Sequence, residues 1–254
     1  MPTSKAVLVT GSGSGIGRSV SQHLSKNNYT LILLGRNKDN LEETRNTLEC
    51  PEKHQCVSCD IRFPKDIGEA LKKIKISSIY ALVANAGIGG ENCYLSNDRW
   101  HEIIDTNLTG TYNTIQESLP YLKKNQSPFK KIVIIASVLA RLGVPGYSAY
   151  CASKAGLLGL NRSLAVELAQ DKILVNAICP GWVNTEMAHE GLRTFSEALK
   201  ISKEEAFEQA MNDVPLRKMS EPDEIAQFTS FLISDTQVSI TGQTLDINNG
   251  AMMP

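Results

Sequence analysis

The sequence has no long hydrophobic run. Its most apolar strand-like stretch, Ile132 to Ala136, is far short of the roughly 20 residues that cross a bilayer, so no membrane association is expected. A leader-like start is missing too: the apolar stretch Ala6 to Val9 ends at once in Thr10-Gly11, without the longer apolar core of a secretory signal. Charge of one sign is not in excess, since 26 basic residues meet 27 acidic ones for a net charge of −1. A protein that grips nucleic acid by bulk electrostatics is therefore not expected. Cysteine is modest, at six residues. With no export signal, free thiols in a reducing cytoplasm are the simplest expectation.

What remains is ordinary globular material, 42% hydrophobic and 21% charged, and this apolar content excludes a disordered chain. A length of 254 residues suits one large α/β domain spanning 1–254. Short apolar runs with strand character fall at Ala6–Thr10, Tyr29–Leu34, Gln55–Cys59, Tyr80–Ala84, Lys131–Ser137, Leu174–Cys179 and Gln243–Ile247. Most lack strict alternation, as strands of a parallel sheet covered on both faces should. Helical patterns lie between them, at about Ile16–Lys26, Lys38–Leu48, Phe63–Ile74, Ser96–Lys123, Tyr150–Ala169 and Glu221–Leu232. Such alternation predicts a doubly wound parallel α/β sheet of about seven strands flanked by helices. One region breaks the rhythm: between Thr185 and Pro222 lie two helix-like pieces and no strand. An excursion of that length predicts a small helical lid or cap at about 186–220.

The first strand runs into Thr10-Gly11-Ser12-Gly13-Ser14-Gly15-Ile16-Gly17, and a helix follows. Glycines let the backbone turn tightly and bring its N–H groups to a pyrophosphate at the positive helix end. The spacing is Gly-x-x-x-Gly-x-Gly with an extra glycine at 13. A glycine-rich turn alone is weak, but its position after the first strand favours dinucleotide binding. At the end of the second strand an acid would bond the 2′-hydroxyl of NAD, whereas an arginine accommodates the 2′-phosphate of NADP. Here the residues are Leu34-Gly35-Arg36-Asn37. Arg36 is the candidate clamp, helped by Ser12, and NADP(H) is favoured over NAD(H); a solvent-facing arginine is the plain alternative.

Tyr150 and Lys154, four residues apart on a helical segment, share one face. A neighbouring ammonium favours the phenolate and lowers a phenol's pKa. A tyrosine so tuned can give a proton to a carbonyl oxygen or take one from an alcohol. The pair follows Ser137, which ends a buried strand, and strand ends of open parallel sheets are where sites form.

Thr10-Gly-x-x-x-Gly15-Ile16-Gly17, Asn85-Ala86-Gly87, Asn107, Ser137, Tyr150-x-x-x-Lys154 and Pro180-Gly181 stand in this order and spacing. Together they resemble the short-chain dehydrogenase/reductase family along essentially the whole chain, which implies a Rossmann-type fold. The resemblance implies Tyr150 as general acid in reduction, Ser137 holding the substrate oxygen, and Lys154 on the nicotinamide ribose. It implies Asn107 as the anchor of a proton relay. Asp60, with Ile61 beside it, would meet the adenine. Asn85, Ala86 and Gly87 would line the adenosine ribose, while Pro180, Gly181, Val183 and Thr185 would embrace the nicotinamide. A homotetramer is implied as well, with the helices of Asn107 and Tyr150 pairing across subunits. Two departures stand out: Ala84-Asn85 replaces a pair of asparagines, and Asn248-Asn249-Gly250 replaces Asp-Gly-Gly. Asparagine tolerates left-handed backbone better than most residues.

Other signals carry less. Cys56-x-x-Cys59 is a single pair in a strand, and residues three apart on a strand face opposite ways. No metal is expected from it, even with Cys50 and His54 nearby, because a zinc site shows four suitably spaced ligands. Cys151 and Cys179 adjoin the chemistry but read as small buried hydrophobes. Lys123, Lys124, Lys130 and Lys131 read as a solvated helix end and loop; docking of an acidic carrier protein or of CoA phosphates is the sharper alternative.

For substrate, Met187, Leu192, Phe195, Leu199, Phe207 and Met211 form either an apolar lid face or the core of two small helices. Trp182, Tyr147 and Arg141 are candidate pocket borders. The lid and the Pro-Gly-Trp-Val run resemble reductases of 3-oxoacyl thioesters and of polyketide ketones, and also dehydrogenases of cyclic hydroxyacyl-CoA compounds. The expected activity is NADPH-dependent reduction of a ketone, on a small-molecule, CoA-linked or acyl-carrier-protein-linked substrate. Oxidation of another secondary alcohol is the second expectation. A nucleotide sensor that has lost its chemistry is the third, and it has no need of the Asn107, Ser137, Tyr150 and Lys154 set.

Overall fold

A computed structural model describes residues 5–92 and 98–253. Seven strands form one parallel sheet in the order β3-β2-β1-β4-β5-β6-β7. The strands are β1 (Ala6–Thr10), β2 (Thr30–Gly35), β3 (Gln55–Ser58), β4 (Ala81–Ala84), β5 (Lys130–Ile135), β6 (Ile173–Pro180) and β7 (Thr244–Ile247). Each expected strand is present, shifted at its ends by a residue or two. β1, β4, β5 and β6 are buried along their whole length, which is why their sequences are mostly apolar without strict alternation.

The two faces of the sheet carry separate cores. Leu8, Ile32, Leu34, Leu82, Ile132 and Val175 face one layer with Ile67 and Leu71 of α3 (Pro64–Lys73), Ile115 of α5 (Gly110–Lys124) and Leu157 of α6 (Ser148–Glu167). Their chain neighbours Val7, Val9, Leu31, Leu33, Val83 and Val133 face the other. There they meet Val20 and Leu24 of α1 (Gly15–Lys26) and Ala226 and Leu232 of α9 (Pro222–Ile233). The pleat sends alternate side chains to opposite layers. Cys56 packs against the second core while Cys59 lies in the first, so the two sulfurs are on opposite faces as the strand period requires. The described cysteines are free thiols, and no cluster of three or more His, Cys, Asp or Glu suited to a metal occurs among the described residues. Among those residues no helix is long and apolar enough to cross a membrane.

Two expectations need correcting. The pattern over Ser96–Lys123 is not one uniform helix. Ser96 lies outside the described residues, and helix α4 covers Trp100–Ile104. A π-helical turn follows at Asp105–Thr109, before α5. Apolar periodicity cannot report a single widened turn, and such turns concentrate at functional sites. Lys130 and Lys131 do not belong to a solvated loop. Both begin β5, buried to 7% and 1% exposure, with Lys131 paired to Ala81 and Leu174 in the sheet. The Lys131 ammonium escapes the apolar layers by donating to the Gln237 carbonyl, and burial pushes both lysines below their usual range. Lys123 does lie at a helix end, paired with Asp171 at 2.7 Å.

Between β6 and α9, the helices α7 (Glu186–Leu199) and α8 (Lys203–Asn212) form the expected helical excursion. Its own small core contains Ala188, Leu192, Met211, Val214 and Met219. The expected lid face therefore divides. Leu192 and Met211 hold the two helices together, whereas Met187, Leu199 and Phe207 remain exposed.

Candidate active site

The carboxyl ends of β1 to β6 contribute to one edge of the sheet, the edge where open α/β folds bind ligands. The glycine loop after β1 is shaped by contacts that side chains would break. Gly11 and Gly15 have φ of +64° and +49°, a left-handed backbone that favours glycine. Ser14 caps α1 in extended conformation with no side-chain bond to the helix, which leaves first-turn N–H groups free for an anion. Thr10 Oγ1 accepts from the N–H groups of Asn85 and Ala86 at 2.9 Å each, and the Asn85 amide donates to the Thr10 and Gly11 carbonyls. Ser12 is fully buried, its hydroxyl turned to the Leu34 carbonyl.

A residue not singled out in the sequence, Arg18, braces this loop. Its guanidinium donates to the Gly13 carbonyl at 2.6 Å and to Oγ1 of Thr44, on α2 (Lys38–Asn46), at 3.0 Å. An arginine on the outside of a helix turn gives no periodic signal of such a role. The cradle fits a dinucleotide: glycines where a Cβ would close it, and uncapped helix donors above it.

Arg36 is exposed just past β2, with no carboxylate on that strand end. Asp60 follows β3 and is held by Arg62, which donates from Nε at 3.0 and 3.1 Å and from its terminal amine at 2.6 Å. The guanidinium of Arg62, with weaker help from Arg36, holds the Asp60 carboxyl below the usual range. Ile61 is buried against Gly110, where a Cβ would lie 2.8 Å from Ile61 Cδ1.

Ser137 ends the run after β5, and Tyr150 and Lys154 lie one turn apart on α6. The Ser137 side chain lies beside the Tyr150 hydroxyl, where it favours the ionised form of the phenol, and its Oγ accepts from Leu139 N–H at 3.1 Å. Lys154 is 5% exposed and donates to the Ile135 carbonyl at 3.0 Å, its ammonium 5.6 Å from the Tyr150 ring centre. Burial raises Tyr150 to about 12 against a smaller lowering by Ser137, and burial lowers Lys154 to about 8. The expected lowering of the phenol by the lysine is therefore corrected: Ser137, not Lys154, is the group that lowers it, and desolvation, which penalises the charged form of either group, sets the direction. The raised value keeps the Tyr150 phenol protonated at neutral pH.

Asn107 sits in the π-helical turn and is fully buried. Its Oδ1 accepts from Ile88 N–H at 2.8 Å, while Nδ2 donates to the Ile88 carbonyl and to Ser153 Oγ. Ser153 passes the link to the Tyr150 carbonyl at 2.8 Å. The side chain thereby ties the Gly87 loop to the helix of the Tyr–Lys pair.

Pro180, the last residue of β6, and Val183 beyond it are buried, and Gly181 approaches Asn248 so closely that a Cβ would stand 3.0 Å from its Cα. Thr185 caps α7 by accepting from Ala188 N–H, and its methyl lies against Gly15 of the glycine loop. Met187 reaches Gly89 on the opposite wall, where a Cβ would come within 3.1 Å of its sulfur. Tyr147 stands at the N-terminal boundary of α6. Trp182 packs into the small lid core against Gly191. Arg141 is bound instead to Asp246 of β7 at 3.0 Å. Asn249 adopts φ +55° and Gly250 +85°, so the asparagine does accept the left-handed backbone of the departing C-terminal motif.

A nucleotide cradle and a Ser–Tyr–Lys set on one sheet edge define a nucleotide-dependent oxidoreductase. Comparison with known proteins agrees: a family model described as Enoyl-(Acyl carrier protein) reductase matches residues 11–252, and the chain belongs to this family of short-chain dehydrogenase/reductases. It is 32% identical to the 3-oxoacyl-[acyl-carrier-protein] reductase FabG of Staphylococcus epidermidis, over 98% of this chain and 99% of that one. Among solved structures, a single-substitution variant of actinorhodin polyketide ketoreductase with NADPH superposes with a TM-score of 0.91 at 31% identity, covering 98% and 97% of the two chains. Levodione reductase superposes with a TM-score of 0.89 at 26% identity, covering 97% and 96%.

Proposed function

We propose that this enzyme reduces a ketone with NADPH, and that its substrate is a 3-oxoacyl group carried as a thioester on CoA or on an acyl carrier protein. The observation that carries the reading is the Tyr150 hydroxyl set beside Ser137 and backed by the buried Lys154 ammonium. Bound NADPH would supply a hydride to the carbonyl carbon. Ser137 holds the carbonyl oxygen, and Tyr150 gives that oxygen its phenolic proton as negative charge develops there. The carbonyl becomes a secondary alcohol, and the tyrosine is left as phenolate until it is reprotonated. Lys154 stabilises that phenolate and orients the ribose, and Asn107 anchors the path by which the proton returns.

Gly11, Ser14, Gly15, Ile16 and Gly17 would form the pyrophosphate wall, with Arg36, helped by Ser12, on the 2′-phosphate and Asp60 and Ile61 at the adenine. Asn85 to Gly87 would line the ribose, and Pro180, Gly181, Val183 and Thr185 the nicotinamide. Tyr147 and Trp182 would border the substrate. Support for NADPH comes from Arg36 at an acid-free strand end and from the NADPH complex of the polyketide ketoreductase. A single domain, a homotetramer and a cytoplasmic setting complete the proposal.

The test is oxidation of NADPH and NADH by purified protein against acetoacetyl-CoA, longer 3-oxoacyl thioesters and cyclic ketones. Turnover with NADPH on thioesters is expected. Cofactor binding without turnover on any ketone would sink the reductase reading and favour oxidation of an alcohol or a sensor.

A further inference from the structure

Tyr150 is the third residue of α6, so its position depends on whether the first turn of that helix is closed. The helix boundary residue, Tyr147, makes no side-chain cap. First-turn N–H groups have no partner within a helix and need one from elsewhere. The partner comes from a distant loop. Asn92, only 4% exposed, accepts at Oδ1 from the Ala149 N–H at 2.9 Å and from the Ser148 hydroxyl at 3.2 Å. Its backbone N–H donates to the Gly146 carbonyl at 2.8 Å. Asp98 receives the other end of the side-chain amide, at 3.3 Å. Gly146 has φ +78° and packs against Glu91, so the two loops meet at consecutive residues.

We infer that Asn92 is a positioning residue for catalysis: it caps α6 from the loop after β4 and thereby fixes Tyr150 over Ser137. The inference rests on the reductase reading for its kinetic consequence, but the cap itself is independent of that reading. Lys154 lies a full turn deeper and is held by Ile135, so loss of the cap moves the proton donor while leaving the lysine in place. An asparagine in a loop gives no sequence sign of this, because helix caps are sought immediately before the helix they serve.

The experiment compares wild type, Asn92→Ala and the double variant Asn92→Asp with Asp98→Asn by amide hydrogen exchange of the 147–156 segment and by steady-state reduction. Losing a cap costs a factor of about ten in first-turn closure. Asn92→Ala is therefore expected to lower kcat about tenfold, leave the KM for NADPH within about twofold, and speed exchange at Ala149. Asn92→Asp, made together with Asp98→Asn so that an amide again faces the carboxylate across the 3.3 Å contact, keeps the acceptor oxygen and should restore both kcat and protection. Unchanged exchange in Asn92→Ala, or a double variant no better than alanine, overturns the inference. Should Asn92→Ala fail to fold, wild-type exchange decides: an Ala149 amide as fast as in an unstructured peptide overturns it. Absence of ketone turnover in wild type with a protected, Asn92-dependent first turn would remove the reductase reading and leave the cap standing.

Discussion

Gly17 and Asn85 share a space that admits no side chain at 17. A Cβ on Gly17 would stand 2.2 Å from the Gly11 carbonyl oxygen and 2.6 Å from Asn85 Nδ2, the same amide that bonds the Thr10 and Gly11 carbonyls. Because one neighbour is backbone, the clash cannot be relieved by a rotamer change. Gly17→Ala should cost about 1–3 kcal/mol of stability and remove tight NADPH binding. Denaturant unfolding and fluorescence titration of NADPH measure the two; wild-type affinity in the variant would mean the loop does not hold the pyrophosphate.

Arg36 is exposed with no carboxylate on its strand end. Charge-assisted hydrogen bonds contribute about 1.5–3 kcal/mol, so Arg36→Asp should lower kcat/KM for NADPH by about ten- to hundredfold and spare NADH. The ratio of the two specificities reads this directly. A ratio equal to that of wild type assigns the 2′-phosphate to another residue.

Removal of the phenolic hydroxyl in Tyr150→Phe should lower ketone reduction about 10²–10⁴-fold with NADPH binding retained. The pH profile carries a sign of its own. Tyr150, raised to about 12, stays protonated across the working range, so its proton does not limit reduction there. Lys154, lowered to about 8, is cationic below that value and neutral above it. Reduction should hold at neutral pH and fall as pH rises through about 8. A flat profile to pH about 10 would detach the lysine's charge from the rate.

His54 gives a stability prediction far from the chemistry. It is 4% exposed, accepts from Leu31 N–H at Nδ1 and contacts the Glu49 carbonyl through Nε2. That arrangement requires the neutral ring, and burial lowers its pKa. Above about 6.5 the ring is neutral in both folded and unfolded chains, so its contribution is intact. As pH falls below that value the unfolded chain takes up the proton first, and stability is lost toward the lowered folded pKa. Unfolding curves of wild type and His54→Gln between about pH 7 and pH 5 should therefore converge on acidification; parallel curves would refute the assignment.

The sheet and the chemical motif are legible in the sequence because each rests on a local pattern. Strands β1, β4, β5 and β6 are buried on both faces and mostly apolar, and Tyr150 and Lys154 share a helix face by spacing alone. What the sequence conceals depends on contacts between distant segments. Arg18 bracing Gly13, Asn92 capping α6 and Ser153 linking Asn107 to Tyr150 leave no period in the chain. Lys130 and Lys131 mislead for the same reason, since the Gln237 carbonyl that receives Lys131 belongs to a segment far along the chain. The direction of the Tyr150 shift is hidden because spacing shows the nearby ammonium but not the burial that sets the shift.

The position of β1 in the middle of the sheet has a consequence for how the molecule comes into being. Val7 pairs with Ala81 on one side and Leu31 on the other, so β1 is enclosed by a strand synthesised much later than itself. Closing so long a loop is entropically slow, and unpaired strand edges invite aggregation while it waits. A nascent chain carries every glycine of the cradle early, yet it has no cradle until Asn85 arrives to fasten Thr10 and Gly11. Nucleotide in the surrounding solution can therefore reward only the late steps of folding, by mass action on chains whose sheet has already closed around β1.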